Sequence, residues 1–282
     1  SYLLLSLGIK GGAHLSEISL KELLVPISFT VFISITIPII VFFVCNFIGK
    51  LKRADSAALA AHYGSVSIVT FIAAGVFIET QGEKASNFMT GMVAVMEIPG
   101  IIVALLLAHE VFATKVVKGI NLFERIRGIF FSKSVYLLWA GLLIGLIAGE
   151  KGLTKVSGFF IEPFYGVLVL FMLDMGTLAG SRIPDIKKAG IFLLNVGTLI
   201  PILSACFVIF CSKILDLKMA DAFILSVMAS SASYIAAPAA VRVSLPFANP
   251  AYYLTSSLVI TFPFNLTIGI PLYYCIAKWW YS

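Results

Sequence analysis

An all-α, multi-pass membrane fold is what this sequence predicts, and three observations carry it. Of the 282 residues, 60% are hydrophobic and only 12% are charged. The mean hydropathy is +1.04. The apolar residues also fall into runs long enough to cross a bilayer, which takes about 20 residues as helix. A soluble domain carries roughly 25% charge, so half the usual charge is missing. A soluble enzyme, a nucleic-acid module and a disordered chain are all excluded. The net charge of +6 is no nucleic-acid footprint, because in a membrane protein basic residues report topology.

Nine hydrophobic segments can be drawn: 1–9, 24–49, 55–80, 88–109, 134–149, 160–180, 189–211, 221–244 and 252–277. The first is a stump, and the chain opens at Ser1 already inside an apolar run, so a leading span is expected to be missing. Trp279, Trp280 and Tyr281 form an interfacial aromatic anchor at the other end. Loops at alternate positions hold Lys50, Lys52, Arg53, Lys115, Lys118, Arg125, Arg127, Lys133, Arg182, Lys187, Lys188 and Arg242, 12 of the 20 basic residues. This bias puts the basic, amphipathic loop 110–133 in the cytoplasm and the C-terminus outside. Cys45, Cys206, Cys211 and Cys275 all lie within apolar runs without CxxC spacing and read as small buried hydrophobes.

An internal repeat organises the segments. Gly8–Ile18 resembles Gly176–Ile186, Asp55–Ser67 resembles Asp221–Ser233, and Pro99 answers Pro263, at offsets of 168, 166 and 164. Corresponding segments are five spans apart, and an odd number reverses direction across the bilayer. A five-plus-five inverted repeat follows, with residues 1–109 as the first unit and 134–282 as the second. Inverted repeats are an architecture of alternating-access transporters.

Two segments are interrupted at matching places: His62-Tyr63-Gly64-Ser65-Val66-Ser67 and Ser230-Ser231-Ala232-Ser233-Tyr234-Ile235-Ala236-Ala237-Pro238. Gly64 lowers helix stability, Pro238 removes a donor, and the serines compete for local hydrogen bonds. Unwound backbone at membrane depth survives only in protein or along a cavity. Half-helix N-termini there suit an anion, and carbonyls and hydroxyls suit sodium. Either break alone reads as small-residue packing; as a pair they read as discontinuous crossing helices around a binding site. The candidate substrate residues are Gly64, Ser65, Val66, Ser67, Ser231, Ala232, Ser233 and Tyr234. The candidate sodium ligands are Ser65, Ser67, Glu97, Ser230 and Ser231.

Intramembrane carboxylates are functional candidates. Glu97, beside Pro99, is a sodium ligand, a proton carrier or a helix-bridging carboxyl, and Asp174 either titrates or packs. His62 either bonds substrate or packs against Tyr63 and a neighbouring carbonyl, while Asn195 and Asn265 bridge helices. No P-loop is present, and no nucleophile–base pair points to catalysis; the chain is not expected to be an enzyme. An antiporter-like carrier using Glu97 and Asp174, a lipid-acting intramembrane enzyme, and an anion sensor signalling through loop 110–133 are the competing readings.

At these residues the chain resembles the sodium-dependent bicarbonate transporter family best known from cyanobacteria, and particularly its shorter bacterial branch. The likeness is carried by Gly8-Ile9-Lys10-Gly11-Gly12, Ala61–Ser67, Met96-Glu97-Ile98-Pro99, Ser230–Pro238 with Arg242, Pro246–Pro250 and Ile260–Asn265. The resemblance implies ten helices in a mobile core domain and a gate domain, assembled as a homotrimer. It implies sodium-coupled bicarbonate symport by an elevator-like motion in a bacterial inner membrane. Ser65, Ser67, Ser231 and Ser233 fall on the positions that hold bicarbonate and sodium in the family. Sodium is the expected coupling ion, with no other cofactor. The chain departs from the cyanobacterial pattern at Tyr234 and Glu97, each of which stands where that pattern has aspartate. The shorter central loop bears on the PII-like regulator implied as a partner.

Overall fold

The computed structural model describes residues 2–16, 18–112, 127, 133–181 and 183–282. The described residues form α-helix with three short π-helical stretches. In chain order the helices are α1 (Tyr2–Leu15), α2 (Leu20–Phe43, continued by a π turn at Val44–Ile48), α3 (Arg53–Tyr63), α4 (Ile68–Thr80), α5 (Met89–Glu97), α6 (Pro99–Phe112), α7 (Lys133–Lys155), α8 (Phe164–Ser181), α9 (Ile183–Ile214), α10 (Met219–Ser230), α11 (Ala236–Ser244) and α12 (Pro250–Tyr281). Seven helical stretches are long and apolar enough to cross a membrane. The expected first segment lies in the 14-residue α1, and the expected 221–244 is divided between α10 and α11, so neither reaches that length. Most of the central loop 110–133 lies outside the described residues.

Close packing of α1 on α7 is written in glycine. Gly8 and Gly12 on α1 meet Gly141 and Gly145 on α7, and a Cβ on any of the four would overlap the facing backbone. Such i, i+4 pairs let helices touch backbone to backbone, which strengthens dispersion where lipid supplies no hydrophobic drive. Gly11 turns the other way, with Thr90 and Gly91 of α5 within 3.2 Å of where its Cβ would stand. At Gly149 (φ 60) α7 changes direction, and at Gly190 (φ 78) α9 does the same. Only glycine adopts such angles without strain.

Both matching prolines coincide with irregular helix. Pro99 leaves the turn before it short of a donor, and the gap is filled by Ser34 of α2. The Ser34 hydroxyl donates to the Met96 carbonyl (2.9 Å) and accepts from the Gly100 N–H (3.0 Å). A side chain thus stands inside the i→i+4 ladder where α5 gives way to α6. Pro263 sits between π turns at Thr255–Thr261 and Asn265–Gly269 of α12. Around them Thr255, Ser256, Ser257, Thr261 and Asn265 form a buried polar stripe.

Two aspartates tie the halves of the chain together at opposite ends of the bundle. Asp221, in the first turn of α10, accepts from the Ser86 N–H (2.6 Å) and hydroxyl (2.8 Å). Asp55, in the first turn of α3, accepts from the Asn249 N–H (2.7 Å). Each buried carboxylate therefore secures the loop that enters the last helical segment of the other half. Their equivalence follows the 166-residue offset seen in the sequence.

The four cysteines are unpaired. Cys45 is buried as expected, whereas Cys275 is exposed, because its face of α12 points out of the bundle. Asn195 is likewise exposed rather than bridging. Asn265 does bridge: its amide donates to the Ser230 carbonyl (2.9 Å) and its oxygen accepts from Tyr273 OH (2.9 Å).

Asp221→Ala removes two hydrogen bonds to a buried carboxylate and is expected to lower stability by about 1.5–3 kcal/mol. The thermal unfolding midpoint in detergent measures this, and an unchanged midpoint would show that loop 81–88 is held by other contacts.

Candidate functional site

The two interrupted segments meet. Between α3 and α4 the chain is unwound from Gly64 to Ser67, and between α10 and α11 from Ser231 to Ile235. Ser67 N–H donates to Ser231 Oγ (2.8 Å), and Ser233 N–H donates to the His62 carbonyl (2.8 Å). Each break therefore supplies a partner to a backbone donor that the other has freed.

Serine side chains finish the exposed helix ends. Ser67 caps α4, its Oγ accepting from Thr70 N–H (3.3 Å) and Thr70 OH (2.9 Å). Ser233 caps α11, accepting from the N–H groups of Ala236 and Ala237 (3.3 Å each). Ser231 Oγ also donates to the Met228 carbonyl (2.8 Å), and Ser230 Oγ to Val227 (3.0 Å). Ser65 differs: its hydroxyl is fully buried without a hydrogen-bond partner among the described residues.

A small cavity lies where the breaks face α1 and α5. It is lined by Leu4, Val66, Ser67, Ile68, Glu97, Ser233, Tyr234 and Ile235. The N-terminal ends of α4 and α11 thus border it, placing two positive dipole ends against one space. Its volume is about 10 Å³, room for one water or one ion. Glu97 is 2% exposed, and its Oε2 has no hydrogen-bond partner among the described residues. The Tyr234 hydroxyl lies beside Ser67, and its ring stands edge-on to Phe262 at 5.0 Å.

Of the expected site residues, Val66, Ser67, Glu97, Ser233 and Tyr234 line this cavity. Gly64 instead packs against Pro38 and Gly100, and its carbonyl accepts from Ser34 (3.3 Å). Ser65, Ser230, Ser231 and Ala232 are buried near the break but not on the cavity wall. His62 also stands apart. Its Nδ1 faces the Ala58 carbonyl (2.7 Å), which fixes that nitrogen as the donor, and its ring stacks on Tyr253 rather than Tyr63 (4.6 Å). Asp174 is exposed on α8, remote from the cavity lining.

A sequence profile of the Na+-dependent bicarbonate transporter superfamily matches residues 1–278. The chain belongs to that superfamily. No individual curated protein matches it. Membership accounts for the all-helical, multi-pass architecture and makes this a transporter chain rather than an enzyme.

Three contacts escaped the sequence reading. Ser34 lies in an apolar helix, and nothing local reveals that it completes the α5–α6 ladder. Tyr63 and Thr261 share a hydrogen bond (2.7 Å) across 198 residues, and Thr261 in turn donates to the Gly197 carbonyl (2.8 Å). Leu4, from the stump, closes the cavity. A polar residue among apolar ones was the only available signal for the first two.

Ser231→Ala leaves the buried Ser67 N–H without its acceptor, at an expected cost of about 1–3 kcal/mol. Ser65→Ala removes a hydroxyl that bonds nothing and should stay within roughly 0.5 kcal/mol of the parent. Paired thermal melts of the two variants check the contrast, and equal destabilisation would contradict the bonding pattern.

Proposed function

We propose that this protein is a sodium-coupled symporter of bicarbonate that works by alternating access. The observation that carries the reading is the convergence of both breaks and Glu97 on one small cavity. Sodium suits the hydroxyl and carboxylate oxygens of Ser67, Ser233, Tyr234 and Glu97, hard donors at membrane depth. A bound cation also offsets the buried negative charge of Glu97, and together with the ends of α4 and α11 it creates a positive locus for an anion. Each ligand then raises the affinity for the other by the same factor.

Bicarbonate has four heavy atoms and exceeds a space for one water. Its entry therefore requires the breaks to part from α1, and this coupling of binding to movement is what alternating access needs. Two equivalences support an inverted repeat of residues 1–109 and 134–282 around the site: the Asp55 and Asp221 anchors, and the reciprocal bonds between the breaks. Ser65, Ser230 and Ser231 remain in the proposed site as an inner layer that frames the breaks.

A homotrimer in a bacterial inner membrane is part of the same proposal. In its support, α8 exposes Val169, Leu170 and Leu173 together with Asp174, and a carboxylate on such a face is costly in lipid and suits a contact between copies. A PII-like partner would act at loop 110–133. The antiporter-like alternative retains only Glu97, since Asp174 is away from the cavity.

Radiolabelled bicarbonate uptake into proteoliposomes at fixed pH, with and without an inward sodium gradient, tests the reading. Sodium-dependent accumulation is expected. Glu97→Gln should raise the sodium concentration for half-maximal uptake by about tenfold or more, the scale of one lost charge-assisted contact. Ser65→Ala should weaken bicarbonate binding with little change in stability. Uptake indifferent to sodium in the parent would overturn the symport.

A further inference from the structure

Within Gly8-Ile9-Lys10-Gly11-Gly12, the glycines are explained by backbone contact with α7 and α5, but that packing leaves Lys10 without a role. No ion pair or hydrogen bond of its side chain is found among the described residues. Instead it lines a second and much larger cavity, of about 370 Å³, between α1, α4, α8 and the loop 81–88. From α1 this cavity is lined by Leu7, Lys10 and His14, and from α4 by Phe71, Gly75 and Glu79, among others.

The two cavities are stations on one crevice. Leu4 of α1 lines the central cavity; Leu7, Lys10 and His14 follow at steps of three, three and four on the same face. On α4, Ile68 lines the central cavity, and Phe71, Gly75 and Glu79 continue its stripe outward. Lys10 stands six residues from Leu4, about 9 Å along the axis at 1.5 Å per residue. The buried side chains of Leu7, Phe71 and Ile72 lie between the two spaces. The large cavity belongs to the end of the bundle that carries loop 81–88, opposite the end at which α6 reaches Phe112, the last described residue before loop 110–133. With that loop in the cytoplasm, the large cavity faces outside.

We propose that this outer cavity is a staging site for the transported anion and that Lys10 is its recognition residue. The inference rests on the symport reading for the identity of the anion, a small monovalent oxyanion. A lysine near a helix end commonly snorkels to the lipid headgroups. This one faces the large cavity instead, where its ammonium is a point charge for an oxyanion that leaves most of the anion's hydration in place. The other charges on the wall are the His14 ring, paired with Glu150 at 3.2 Å, and Glu79 and Lys84, both exposed at the rim. Lys10 is therefore the basic group set deepest along the route to the breaks. Anions held there wait one layer of apolar side chains from the central cavity.

The experiment combines kinetics with accessibility. In proteoliposome uptake, Lys10→Gln is expected to raise the KM for bicarbonate about tenfold while the maximal rate stays within about twofold, and Lys10→Arg is expected to restore the KM. An unchanged KM in Lys10→Gln overturns the assignment, as does an equal loss of maximal rate in both variants, which marks a structural role. Separately, Gly75→Cys, a position on the wall of the same cavity where an added Cβ meets open space, is introduced into a background lacking Cys45, Cys206, Cys211 and Cys275 and treated with a membrane-impermeant thiol reagent. Labelling from outside, slowed by bicarbonate, is expected. Labelling from the cytoplasmic side only, none at all, or labelling indifferent to bicarbonate overturns the staging site. Where the parent itself transports no bicarbonate, the symport reading falls, and the labelling and its protection by bicarbonate still decide the fate of the staging site.

Discussion

Backbone polar groups have no water to turn to at membrane depth, and this molecule is organised by how it meets that demand. Two helices are opened in the middle of the bundle, and each opening would strand donors and acceptors at several kcal/mol apiece. The pair solves the problem jointly. Ser67 N–H is received by Ser231, Ser233 N–H is received by the His62 carbonyl, and the cap serines take the next donors along. Neither break is viable alone, so the crossing point is obligatory. The cavity exists because the two openings must sit side by side.

Around this crossing the rest of the fold behaves as support. Ser34 repairs the ladder at Pro99, which lets Glu97 end α5 at the cavity wall. Asn265 receives Tyr273 and serves the Ser230 carbonyl, which would otherwise lack its next-turn donor. Asp55 and Asp221 hold the two ends of the bundle. The polar residues of the spans thus divide between those that close backbone deficits and the few that are left over. Among the described residues, Ser65 Oγ and Glu97 Oε2 are left over and buried, and of the two Glu97 lines the cavity.

Much of this was legible in the amino-acid order, and the parts that were not share a cause. The breaks announced themselves through Gly64, Pro238 and clustered serines, since those residues act locally on the backbone. The repeat located Asp55 opposite Asp221 without revealing what either binds. Glu97 stood out because a carboxylate in an apolar run has no cheap explanation. By contrast, the division of labour among the serines depends on partners 164 residues away, which no local pattern encodes. Ser230 and Ser231, candidate ligands in the sequence, each also donate a hydroxyl to a backbone carbonyl one turn back. Lys10 stood inside a motif used for the repeat and the resemblance, and nothing local discloses the cavity it lines. Cys275 and Asn195 were read as inward because their segments are apolar all round, and such a segment does not disclose which of its faces is covered.

The Ser34 insertion has a mechanical consequence. Its hydroxyl is bonded to α5, to α6 and to the carbonyl of Gly64, so α2 is pinned to the opened helices through a single atom. On the other side α1 is locked to α7 by glycine contacts that admit no repacking. Between these two assemblies run the two cavities along α1 and α4 and the close contact of Gly11 with Thr90 and Gly91 of α5. A shear of one assembly past the other meets least resistance there, because no buried hydrogen bond found across that surface has to break. Under the proposed alternating access, a displacement along that surface would carry the opened helices and leave Lys10 behind with α1 and α7.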